Sequence, residues 1–441
     1  MGVIENLVSF VFVLGVMVLI HELGHFLAAR YFNVRVEAFS IGFGPRLFGF
    51  KRGDTDYKVC LLPLGGFVKM AGENVGEPSG DPDEFVAKPR WQRMIIAVMG
   101  PVFNVILALV LLAGLFMVRY QRLAFELEPP RIGYVADHSA ASRAGIQAGD
   151  LIVSIDGDET PAWENVRLIE IASPLKTLRV TVERDGKQLE LPITLEADKI
   201  NGIGDSGWSE QTPVRLGQTV PGLPAEKAGI ENGDILKTLN GEAVNSWRQV
   251  PDSIQRSRDQ LIELEVLRNE TLVKLQLTPI YDTSDAESPA WRIGVELRPD
   301  YKRISTSLGF TEAVEQSVDY NVKNATLIFG FLRGLLEQRM SPKSLSGPIG
   351  IAQMSGEAAR AGWPALIMLM AAISLNLGIF NLLPIPILDG GMITVLLLES
   401  LIRRDISIAV KERIVQVGLV FLMMLFAFVI YNDILKSLPP G

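Results

Sequence analysis

Four stretches of this chain stay apolar long enough to cross a bilayer. They run over residues 7–29, 94–118, 365–383 and 414–431, and a spanning helix needs about 20 such residues. Between the second and third the pattern changes. Residues 178–195 and 262–279 alternate apolar and polar positions around the turn pairs Asp185-Gly186 and Asn269-Glu270, which predicts two β-hairpins. A shorter apolar run, 325–336, contains Arg333 and follows 311–323, where Val314, Val318 and Val322 recur at helical spacing. That pattern fits a helix on the membrane surface or one packed on a soluble domain.

The segment between the second and third spans is duplicated. Ala141-Ser-Arg-Ala-Gly-Ile-Gln-Ala-Gly-Asp150 aligns without a gap on Ala225-Glu-Lys-Ala-Gly-Ile-Glu-Asn-Gly-Asp234, and Ile152, Ile155 and Gly157 match Leu236, Leu239 and Gly241. Two copies of one small α+β module follow from this. The fold class is therefore a polytopic α-helical membrane protein with four transmembrane helices and two inserted α+β modules. The expected boundaries are 1–30 for the first span, 31–91 for a loop with a β-hairpin, 92–118 for the second span, 119–198 and 199–298 for the modules, 299–364 for a surface helical segment, 365–391 for the third span and 412–434 for the fourth.

Composition agrees. The 441 residues are 48% hydrophobic, and the net charge of −8 excludes nucleic acid as a natural partner. The first span has no basic n-region and no small-residue cleavage site, so it does not read as a signal peptide, and Asn6 disagrees with a myristoylation signal. Lys and Arg crowd the loops after the first span (Arg30 to Arg90) and after the third (Arg403, Arg404, Lys411). The positive-inside rule puts both loops in the cytoplasm and the duplicated segment outside.

One cysteine and three histidines leave no Cys-type zinc site, so any metal must sit on His and carboxylate. His21-Glu22-Leu23-Gly24-His25 is an H-E-x-x-H pattern inside the first span. On a helix the two imidazoles share a face and reach one ion, with Glu22 beside them to take a proton from a water. Ionisable groups in a span are costly unless functional. Asn381-Leu-Leu-Pro-Ile-Pro-Ile-Leu-Asp389-Gly-Gly391 breaks the third span and presents Asp389 at the same basic end. Two His, one carboxylate and an open position make a catalytic zinc site. A non-catalytic scaffold and a transporter with a midplane metal site are the competing readings. The second expects an inverted repeat of spans, and none is visible.

HELGH in the first span, NLLPIPILDGG at the third and two modules between resemble the site-2 proteases over nearly the whole chain. The resemblance implies an intramembrane zinc metalloendopeptidase with one Zn2+ on His21, His25 and Asp389 and with Glu22 as general base. It implies that Asn381, with Pro384, holds substrate backbone; satisfying carbonyls freed by Pro384 and Pro386 is the alternative role. It makes residues around Leu64, Gly65 and Gly66 part of a membrane-dipping hairpin, with Val59–Lys69 read as two short strands around Gly65-Gly66. That hairpin would pair with unwound substrate, or else be an ordinary cytoplasmic hairpin. The modules resemble PDZ domains, with Gly202, Ile203 and Gly204 as a carboxylate-binding loop of the second. They would bind extended peptides or C-termini, or act only as steric filters. Family membership further implies regulated intramembrane proteolysis in the bacterial inner membrane. The implied substrates are single-pass membrane proteins: an anti-sigma factor already trimmed outside, and remnant signal peptides.

Overall fold

The computed structural model describes residues 2–73, 80–198, 202–283, 289–340, 342 and 346–437. Two compact units result, one helical (Met1–Tyr120, Thr306–Ile328, Leu345–Ser437) and one built mainly from Gln121–Ser305. The helical unit begins with α1, Gly2–Tyr31, followed by strands β1, Val36–Arg52, and β2, Thr55–Met70. Its later helices are α2, Arg90–Val118; α3, Phe310–Leu336; α4, Pro348–Ala361; α5, Trp363–Asn381; α6, Asp389–Ile402; and α7, Ile408–Ser437. Among them α1, α2, α5 and α7 are long and apolar enough to cross a membrane. A helix satisfies its own backbone groups, which is what lipid demands.

Small residues let these helices touch. A Cβ added at Gly24 of α1 would lie 2.2 Å from the Met99 carbonyl oxygen of α2. On the other side of α2, Gly378 of α5 faces the Pro101 carbonyl, and the Ser374 hydroxyl donates to the Asn104 carbonyl at 2.7 Å. Close approach through glycine and serine is how helices associate where lipid removes the hydrophobic drive.

Polar contacts define the two ends of the helical unit. At one end Arg90 pairs with Asp405 at 2.7 Å and Lys411 with the fully buried Glu399 at 2.6 Å. At the other, Arg360 donates to Asn6, and the Asp433 carboxylate accepts the backbone N–H groups of Gly347 and Gly350, both at 2.9 Å. Ser346-Gly-Pro-Ile-Gly350 is thus the N-terminus of α4, and a carboxylate there complements the helix dipole. The two basic loops share one end, and Asn6 and Asp433 share the other.

Two local features differ from the sequence reading. The third span ends at Asn381, and Asp389 opens a separate helix, α6, where a loop was expected. The β-hairpin turns at Gly53, not at Gly65-Gly66. Gly65 and Gly66 instead interrupt the β2 ladder. Residues 66–70 pair with 36–41, whereas 55–60 pair with 46–52 and with the other side of 38–41. Phe43 packs where a Gly65 side chain would stand. The helix expected over 311–336 is present as α3, which buries Ala313, Ser317 and Asn321 and leaves Val314, Val318 and Val322 exposed.

The duplication is plain in the second unit, with separate cores around Val180 and Leu178, and around Leu264 and Ile262. In each copy a buried aspartate that closes the repeated Gly-Asp motif meets an arginine at the end of the first hairpin strand. Arg184 grips both oxygens of Asp150 (2.7 and 2.6 Å) and donates to the Gly145 carbonyl; Arg268 does the same to Asp234 (2.8 and 2.6 Å) and Gly229. The strand Trp208–Glu210 pairs with Ile132–Val135, and Trp208 enters the first core. In the second copy Val295–Pro299 pairs with Val214–Thr219 in the equivalent way. Asp234→Ala removes a buried acceptor that holds Arg268 and the Glu231 N–H, while Arg268 keeps Glu231, so it is expected to cost about 1–3 kcal/mol. Differential scanning of the full-length protein should show the transition of the second unit lowered and the zinc content unchanged.

Candidate metal centre

α1 carries His21 and His25 one turn apart, both 9% exposed. Their Nε2 atoms face each other at 3.2 Å. Asp389, the first residue of α6, completes a triangle, with Oδ2 3.2 Å from His21 Nε2 and Oδ1 3.4 Å from His25 Nε2. Ligand atoms held at 2.0–2.1 Å around a tetrahedral ion stand about 3.3 Å apart. The Nδ1–H of His25 donates to the Ile96 carbonyl at 2.8 Å, so its Nε2 offers a lone pair. Lone pairs and a carboxylate converging at this spacing suit a divalent cation, and zinc fits the donor set.

Glycines bring the parts together. A Cβ at Gly100 of α2 would sit 2.3 Å from His25 Nε2, so α2 can lie against the imidazoles only with glycine there. Gly390 and Gly391 fit against the carbonyls of Leu382, Leu383 and Ile385. The 382–388 segment therefore folds tightly back on the start of α6 and aims Asp389 at α1. Ile387 in that segment has φ +87, a left-handed conformation rare for a β-branched residue.

Glu22, Gly65, Gly66, Asn381 and Asp389 line one cavity of about 560 Å3, with Phe43, Glu73, Ile387 and Met392. Asn381 Nδ2 is 3.4 Å from His21 Nε2. A Cβ on Gly66 would lie 3.2 Å from Glu22 Cγ and 2.7 Å from the Ser40 carbonyl. Pro384 is not among the described lining residues, and the side chain of Leu64 lies outside the described residues. Gly202, Ile203 and Gly204 belong elsewhere: they are in the second unit and fold onto the first module, not the second. Gly204 pairs with Ala197 and packs against the Glu170 carbonyl of the helix Trp163–Ile171. Sequence reasoning missed Asn104, fully buried on α2, 3.2 Å from His21 Nδ1. It is a polar residue inside an apolar span, which was the available signal.

A family model described as peptidase family M50 matches residues 9–425. The chain belongs to peptidase family M50. It is 33% identical over 454 residues to "Protease RseP" of Yersinia pestis, covering 98% of this chain and 99% of the other. It is 31% identical over 451 residues to the Vibrio cholerae protein named "Putative zinc metalloprotease", covering 98% of each. To "Regulator of sigma-E protease RseP" of Salmonella typhimurium it is 32% identical over 461 residues, covering 98% and 99%. This M50 chain is a zinc metalloprotease and a multi-pass membrane protein, with Zn2+ as its cofactor.

Removing any one of the three converging side chains should empty the site. His21→Ala, His25→Ala and Asp389→Ala are each expected to lose bound zinc by metal analysis of purified protein. Glu22→Gln should keep it while cleavage of a single-pass test substrate falls at least about 100-fold. Wild-type zinc content in Asp389→Ala would remove the carboxylate from the metal sphere.

Proposed function

We propose that this chain is a site-2 type endopeptidase of the bacterial inner membrane that hydrolyses a peptide bond in or near the transmembrane segment of single-pass membrane proteins. The observation that carries this is the triangle of His21, His25 and Asp389, held among apolar helices and opening on one cavity with Glu22. A zinc ion there supplies Lewis acidity toward the scissile carbonyl and lowers the pKa of water toward ~7. Glu22 takes a proton from the water as its oxygen adds to the carbonyl carbon and the C=O opens; it then gives that proton to the amide nitrogen, and the C=O re-forms as the C–N bond breaks and the amine departs. Asn381, beside His21, holds substrate backbone at the mouth of the 382–388 segment.

A transmembrane helix hides its peptide bonds, so it must unwind before it is cut, and its freed N–H and C=O groups then need partners. The strand 66–70 supplies them. Among the described residues it pairs with 36–41 on one side only, and its Gly65–Val68 stretch lines the metal cavity. Substrate adds as a further strand on that edge, which dips into the membrane with Gly66 packed against Glu22. The exposed valine stripe of α3 rests on the membrane surface.

The two modules are PDZ-like and stand outside, and the basic loops and the metal centre lie toward the cytoplasm. Each module has a groove between its helix and its last strand, one lined by Trp163, Ile203 and Trp208 and the other by Ile254, Trp291 and Val295. They screen substrates by size and receive peptide ends. The names of the similar proteins support a place in sigma-E regulation. The substrates proposed here are an anti-sigma factor trimmed by a first external cut and remnant signal peptides.

Deleting 131–279 should let untrimmed single-pass substrates be cut while zinc content holds; resistance of those substrates after the deletion would count against size screening. Gly66→Val pushes a branched side chain at Glu22 and at the strand edge, and a displacement near 1 Å can cost about 100-fold in rate. The variant is expected to bind zinc normally and to cleave at that reduced rate. Wild-type cleavage would mean that substrate does not use this edge.

A further inference from the structure

The ring of His21 has two nitrogens, and the proposed metal role uses only Nε2. A neutral imidazole that ligates through Nε2 carries its proton on Nδ1, and that N–H needs an acceptor. The group facing it is the carboxamide of Asn104. Its Nδ2 stands 3.2 Å from Nδ1, and Oδ1 is buried without a hydrogen-bond partner. Two donors facing each other, beside an orphaned acceptor, is the wrong way round. A half-turn of the amide turns Oδ1 toward the ring, where it accepts the Nδ1–H of His21.

The backbone around Asn104 is arranged for this contact. Asn104 is fully buried in an apolar span, where a polar side chain with an idle acceptor costs free energy. Side chains on a helix lean toward its N-terminus, so the amide reaches back toward Gly100, whose missing side chain leaves room for both imidazoles. One turn beyond Gly100, the Ile96 carbonyl accepts the Nδ1–H of His25. The Asn104 carbonyl is itself gripped by Ser374 of α5, the helix that leads into the Asp389 segment.

We propose that Asn104 is a positioning residue for the metal: its carboxamide oxygen accepts the Nδ1–H of His21 and fixes the ring in the tautomer and rotation that present Nε2 to zinc. One face of α2 thus supplies two oxygen acceptors, a main-chain carbonyl for His25 and a side-chain amide for His21. This rests on the assignment of His21, His25 and Asp389 as ligands.

The test is zinc affinity of the full-length protein in detergent, by competition with a chromophoric chelator, for wild type, Asn104→Leu, Asn104→Asp and His21→Ala. Asn104→Leu keeps the bulk and removes the acceptor, and loss of such a partner weakens metal binding by about 10- to 100-fold. Asn104→Asp can only accept, and is expected to bind zinc as tightly as wild type or more tightly. A role that is only structural, or that uses the amide as donor, predicts that Asp fails as Leu does. Wild-type affinity in Asn104→Leu, or loss in Asn104→Asp equal to that in Asn104→Leu, overturns the proposal. If Asn104→Leu does not fold, as judged by the melting of its zinc-free form, Asn104→Asp decides alone: retained affinity supports the acceptor and lost affinity refutes it. His21→Ala separates the levels. Wild-type affinity there sinks the ligand assignment, whereas loss there beside undiminished binding in Asn104→Leu sinks only the role of Asn104.

Discussion

Everything at the metal centre depends on α1 and α2 lying backbone to backbone. Gly24 makes this possible from one side, against the Met99 carbonyl, and Gly100 from the other, against the imidazoles. With any side chain at either position the helices must separate by more than 1 Å, since a Cβ there would stand 2.2 or 2.3 Å from its neighbour, that far short of ordinary contact. Separation would pull the Ile96 carbonyl from His25 and Asn104 from His21. The triangle of His21, His25 and Asp389 tolerates little of this, because its three sides of 3.2 to 3.4 Å already have the spacing of donors around a single ion. Glycine here acts by absence: it lowers helix propensity and in return allows polar groups on one helix to meet polar groups on the next.

The four spans and the convergence of HELGH with the Asp389 segment were legible because each is a local pattern. Hydropathy over about 20 residues marks a span, and one helical turn puts His21 and His25 on one face. The duplicated modules were legible from a gapless repeat that ends in Asp150 and Asp234. Their arginine partners were not. Arg184 and Arg268 lie 34 residues on, each in a hairpin strand where an arginine reads as an ordinary solvent-facing residue. Gly202 to Gly204 were read with the module that follows them, since sequence order is the only guide before strand pairing is known. The structure gives them to the module that precedes them, through the pairing of Gly204 with Ala197.

The hairpin shows a different limit. Gly65-Gly66 between apolar runs has the composition of a turn, and Gly53-Asp54 is an equally good one. What decides between them is pairing across the sheet. Residues 36–41 take partners on both sides, from 66–70 and from 56–59, so β2 must cross from one ladder to another, and the glycines mark that crossing. Asn104 was missed for a related reason. A single Asn in a long apolar run barely lowers its hydropathy, and its meaning appears only when His21, 83 residues away, is beside it.

The last span illustrates how little apolar burial a membrane helix needs. Only 6% of the apolar window of α7 is buried by the rest of the protein, against 39% for α2. In water such a helix would detach, but lipid tails replace protein contacts at almost no cost. Its position must therefore come from polar contacts and close packing. Lys411 reaches the buried Glu399 near one end, and Asp433 takes the N–H groups of Gly347 and Gly350 near the other. Between them Gly418 lies against Pro386, with room for no side chain. Pro386 belongs to the segment that aims Asp389. The helix with the least burial thus bears, at one glycine, directly on the backbone that positions Asp389.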